Sequence, residues 1–139
     1  MLEHANGALS TITTSFDGVV TTAAPIEVHG EIGTLAVPDP NLFDGETRFF
    51  PLGGTGWRTL PPSAGYAGAG RGIGLLDLVA AGGQRAPRAG GELALHVLET
   101  MTAVLRAADE GRRIELTTTV ERPVPVPLTP VDEWSPSRR

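Results

Sequence analysis

The stretch GGELALHVLETMTAVLRAADEG, residues 90–111, governs how the rest of the chain is read. Leu93, Val97, Leu98, Met101, Val104, Leu105 and Ala108 fall on one stripe of a helix with 3.6 residues per turn. Glu92 stands in the first turn, Gly111 is placed to cap the end, and Arg112 and Arg113 follow near the negative end of the helix dipole. Burying the six larger side chains contributes on the order of 10 kcal/mol before the entropy cost of ordering them. A stripe this broad calls for a broad surface, and a sheet is the expected one.

Working outward, residues 72–81 carry Ile73, Leu76, Leu78 and Val79 on a shorter helix that Gly82 and Gly83 stop. Asp77 on this helix is expected to face solvent or a ligand. Residues 25–29 (PIEVH) alternate apolar and polar, residues 30–33 (GEIG) turn the chain, and residues 34–37 return, which reads as a hairpin. Pro38-Asp39-Pro40 ends it, since proline cannot donate to a ladder. Residues 8–16 (ALSTITTSF) read as an earlier strand closed by the Asp17-Gly18 turn. Residues 47–52 and 57–60 form two short strands separated by Gly53, Gly54 and Gly56, and residues 114–120 (IELTTTV) a final one. The expected fold is α+β: an open, mostly antiparallel sheet with two helices packed on one face, the other face serving as an oligomer interface. Residues 1–120 form the domain, and residues 121–139 a proline-rich tail that is extended or disordered.

The composition narrows the function. The chain has 139 residues, enough for one domain, with 40% hydrophobic and 19% charged residues and a net charge of −5. No basic stripe marks a nucleic-acid partner, and no apolar run reaches the ~20 residues of a membrane helix. The absence of cysteine removes disulfides, thiolate nucleophiles and cysteine-ligated metals, and fits the cytoplasm. All eleven basic residues are arginine, so lysine-based catalysis is excluded.

The reactive residue types do not converge. Residues 68–74 (GAGRGIG) match no register of the dinucleotide fingerprint G-x-G-x-x-G and read as a flexible entry to the helix that follows. His4, His29 and His96 lack metal-ligand spacing, and no G-x-S-x-G elbow is present. Asp39 and Asp44 read as solvated turn residues. Tyr66, Arg71 and His96 are the candidates for lining a substrate pocket, with Trp57 behind them. An arginine at the mouth of a helix can hold a carboxylate or hydroxyl groups, and His96 at the edge of the stripe also fits a structural role. No catalytic, cofactor-binding or metal-binding residue is assigned.

Four segments carry a resemblance: LEHANGALSTITTSFD (residues 2–17), APIEVHGEIGTLAVPDPNLFDG (24–45), RGIGLLDLVAA (71–81) and GGELALHVLETMTAVLRAADEGRRIEL (90–116). In this order they resemble the C-terminal domain of the glucose–fructose oxidoreductase / inositol dehydrogenase / rhizopine-catabolism (Gfo/Idh/MocA) family. The resemblance implies a substrate-side and oligomerisation domain whose intact relatives join a Rossmann domain, bind NAD or NADP, and oxidise or reduce sugars and polyols. It implies a homo-oligomer through the open sheet face, or a separate Rossmann-domain chain as partner, with no nucleic acid or membrane. The family's Glu-Lys-Pro motif and its Asp-x-x-x-His pair have no counterpart, so no catalytic role carries over. Leu2-Glu3 corresponds to the middle of a family strand, so the chain is expected to begin inside the domain and to need its cofactor half from elsewhere. A stand-alone binding or assembly protein that kept the fold without redox chemistry is the alternative.

Overall fold

The computed structural model describes residues 1–130, with the backbone alone at 66–67 and 129–130. Among the described residues eight strands and two helices follow one another: β1 (Leu2–Glu3), β2 (Leu9–Ser10), β3 (Ile26–Gly30), β4 (Gly33–Val37), β5 (Arg48–Pro51), β6 (Arg58–Thr59), β7 (Tyr66–Ala67), α1 (Ile73–Ala81), α2 (Gly91–Glu110) and β8 (Thr129–Pro130). β3-β4-β5-β6 form an open antiparallel sheet, β1 and β2 a small antiparallel pair, and β7 and β8 a parallel pair. The fold is α+β with mostly antiparallel strands, as the periodicity requires.

The hairpin is set by its turn. Gly30 pairs with Gly33, leaving Glu31 and Ile32 as the two-residue loop. Gly33 has φ +149, and a Cβ there would stand 2.2 Å from the Phe50 carbonyl oxygen on β5, so only glycine lets β4 and β5 close. Cross-strand partners share a face, which sorts the sheet into two surfaces. Val28, Leu35 and Phe49 lie on one, with Ile26 opposite Val37 beside them. Glu27, Ala36 and Arg48 lie on the other, with His29, Thr34 and Phe50. There Trp57 meets Phe50 edge-on at 5.5 Å and takes the Arg48 guanidinium over its ring at 5.3 Å.

The two helices do not cover this sheet, contrary to the expected packing. Val28 is 51% exposed on the apolar face, and on α2 Met101 and Leu105 are 61% and 66% exposed. The cause is the face that α2 turns inward. Leu93, His96, Glu99, Thr100, Ala103 and Ala107 are its covered residues; His96 and Glu99 bind residues 117–118, and the Thr100 hydroxyl donates to the His96 carbonyl. Residues 114–120 join no ladder among the described residues; the Thr117 and Thr118 amides donate to Glu99 instead. Of residues 8–16 only Leu9–Ser10 pairs.

Asp77 is the second correction. It is buried rather than facing solvent or a ligand. Arg85 Nη2 lies 2.6 Å from Asp77 Oδ1, the Arg88 amide donates to Asp77 Oδ2 at 2.8 Å, and the Arg88 guanidinium pairs with the same carboxylate. Arg88 also donates to the carbonyls of Val124 and Pro125, at 3.0 and 3.3 Å. The proline-rich tail is therefore docked as far as it is described: the Gly65 amide donates to the Val126 carbonyl, and β8 lies against β7. The rest of the tail, residues 131–139, lies outside the described residues.

Replacing one partner of a buried ion pair strands the other charges, at about 3–5 kcal/mol. Asp77→Ala is expected to lower stability by about that amount in urea denaturation. It should also make the chain between residues 120 and 130 more susceptible to limited proteolysis, because Arg88 loses the carboxylate that aims it at the tail. Gly33→Ala should lower stability through loss of the β4–β5 closure, leaving helical circular dichroism largely unchanged.

Candidate functional site

The candidate pocket residues are dispersed over three elements. Arg71 precedes α1, is exposed, and donates from Nη2 to Asn41 Oδ1 at 3.2 Å. Tyr66 lies in β7, its backbone paired with Thr129. His96 lies on α2, half-buried, sharing a 2.9 Å hydrogen bond with Thr118 Oγ1. Trp57 is occupied with Phe50 and Arg48 on the sheet. Arg71 and His96 are thus held by different partners, and the structure does not bring them together.

Around His96 the hydrogen bonds have a defined direction. Glu99, one turn further along α2, accepts four of them. The Thr117 amide and hydroxyl reach Oε1 at 2.8 and 2.7 Å, and the Thr118 amide reaches Oε2 at 2.8 Å, beside the Thr118 hydroxyl. A threonine hydroxyl has one proton to give. Thr118 spends it on Glu99, so its oxygen accepts from His96, which places the His96 proton on Nδ1. Donation from the Thr118 hydroxyl, then from the Thr117 hydroxyl and the two amides, holds the Glu99 carboxyl down at about 2, well below the usual carboxylate range. Sequence reading missed Glu99. The available signal was an acid one turn after His96, flanking the stripe, followed by an extended run of threonines.

A groove of about 540 Å³ opens at the start of α2. Pro87, Leu93, Val120 and Val124 supply apolar wall and Glu92, Glu121 and Arg122 charge of both signs, while the Arg88 guanidinium at the rim is engaged by Asp77 and the Val124 and Pro125 carbonyls. Arg71 and His96 do not line it. Mixed carboxylate and guanidinium groups beside apolar wall suit a neutral ligand rich in hydroxyls, because carboxylates accept and guanidinium groups donate.

The glycine segment leads from β7 into α1. β7 ends just ahead of it, but β7 pairs with the tail rather than with a large parallel sheet. The Ile73 and Leu75 amides at the start of α1 already bond to the Gly70 and Gly72 carbonyls. A phosphate cradle needs such amides free. Among the described residues no three metal-ligating side chains gather, and no helix is long and apolar enough to cross a membrane.

The Glu99 carboxyl is lowered on folding, from 4.5 to about 2. Its contribution to stability is therefore complete above pH 4.5 and is lost as the pH falls toward 2. Glu99→Gln should flatten the dependence of the melting temperature on pH across this window while lowering stability at neutral pH; a variant that keeps the wild-type acid slope contradicts the assignment. Comparison of the chain with family models, curated proteins and solved structures finds no match to any of them.

Proposed function

We propose that this chain is the substrate-side and oligomerisation domain of a cytoplasmic NAD(P)-dependent oxidoreductase acting on sugars or polyols, and that it is not catalytic by itself. The hydride carrier and the catalytic lysine belong to a nucleotide-binding domain outside these residues. The observation that carries the reading is the open surface. Val28 on the sheet and Val97, Leu98, Met101, Val104 and Leu105 on α2 are all exposed. A domain built to be completed by other surfaces has this character. The groove at the start of α2 supports the substrate side of the reading: its mixed charges offer both acceptors and donors to hydroxyl groups. The order of the family-like segments supports the redox assignment.

Calorimetric titration tests this directly. The isolated chain is expected to bind neither NADH nor NADPH, and to bind myo-inositol or glucose weakly. Glu121→Ala should weaken that binding about tenfold, the effect of losing a charged hydrogen bond worth about 1.5 kcal/mol. Saturable NADH binding, or polyol binding indifferent to Glu121, contradicts the reading.

A further inference from the structure

The groove at the start of α2 has two walls of different standing. One comes from residues 86–93, with Glu92 in the first turn of α2. The other comes from residues 120–124, a stretch of the tail that belongs to no helix or strand. Pro123, Pro125 and Pro127 alternate with Val124 and Val126 there. Each proline fixes φ at about −65° and lacks an amide, so this stretch stays extended without a ladder and moves as a stiff piece. Few bonds hold it. The Arg88 guanidinium donates to the Val124 and Pro125 carbonyls at 3.0 and 3.3 Å, and the Gly65 amide donates to the Val126 carbonyl at 3.1 Å. Arg88 is in turn gripped by the buried Asp77 carboxylate, which pairs with its guanidinium and accepts from its amide at 2.8 Å. Segments held by few, exposed bonds are the ones that open locally.

The two walls carry complementary charge. Glu92 stands on one, Glu121 and Arg122 on the other, and all three are exposed. A ligand that reaches from Glu92 to Arg122 touches both walls only while residues 120–126 are docked. Contacts made in one state alone are what allow a ligand to shift a two-state element.

We propose that residues 120–126 are a strap that closes on a ligand in this groove, with Asp77 and Arg88 as its latch, so that filling the groove and docking the tail reinforce each other. Such coupling is reciprocal: a change that loosens the strap weakens the ligand by the fraction of docked chain that is lost. Asp77 does not line the groove, so its effect on a ligand must pass through the strap. The strap deepens the proposed function and takes its probe, a polyol, from that reading.

The chain has no cysteine, so one introduced thiol reports the strap without background. Val126 is half-buried on the strap and lies outside the groove, where a bound ligand does not shield it directly. Saturating myo-inositol is expected to slow reaction of the Val126→Cys thiol with a disulfide reagent several-fold. Adding Asp77→Asn should speed that reaction and weaken myo-inositol in calorimetry by a similar factor. Arg88→Lys, which keeps a cation for Asp77 and loses the fork that reaches both carbonyls, takes its place should circular dichroism show Asp77→Asn unfolded. Binding of myo-inositol with an unchanged thiol rate overturns the strap and leaves the polyol reading standing, as does a latch variant that frees the thiol without weakening the ligand. Absence of myo-inositol binding to the unaltered chain overturns both.

Discussion

The Glu99 carboxylate decides which way α2 faces, and most of the architecture follows from that. Four donors from two consecutive threonines converge on it. A carboxylate so satisfied resists being turned outward, because its donors would be left with water in competition and the ionised form would lose its support. The helix therefore turns His96 and Glu99 toward Thr117 and Thr118. Its apolar face is left outward. The same interaction removes residues 114–120 from sheet pairing, since the Thr117 and Thr118 amides are spent on a side chain.

A second polar centre fixes the other end of the helical part. Asp77 on α1 gathers Arg85 and Arg88, and Arg88 passes the connection to the tail through the Val124 and Pro125 carbonyls. The start of α2 lies just beyond Arg88, so the groove bounded by Arg88, Glu92, Glu121 and Arg122 is shaped by this centre. The shape of the groove and the docking of the tail thus share one buried carboxylate. The core gives little help: Ala36, Ala81 and Ala103 are its buried hydrophobic residues, all small. Burial of small side chains yields little free energy, so polar ties hold more of the fold than usual.

Local pattern was legible where the signal is periodic. The 3.6-residue stripe located α2 within a residue at each end, Gly111 at φ +62 closes it, and the alternation in residues 25–37 located the β3–β4 hairpin. Packing was not legible. Periodicity says that a face is apolar, but not that a single chain covers it, and polar ties to Glu99 outweighed the stripe in orienting α2. Asp77 looked like an outward position on a short helix, since its arginine partners lie 8 and 11 residues away in a loop. Arg71 and His96 were plausible by residue type, yet Asn41 and Thr118 engage them separately. The groove was invisible because its walls come from residues 86–93 and 120–124, far apart in sequence.

The central claim is that the apolar surfaces of this chain are completed by another copy. Multi-angle light scattering of the purified chain at micromolar concentration tests it most directly. The account predicts the mass of a dimer, stable to dilution through the micromolar range. A clean monomer of 14.5 kDa contradicts it.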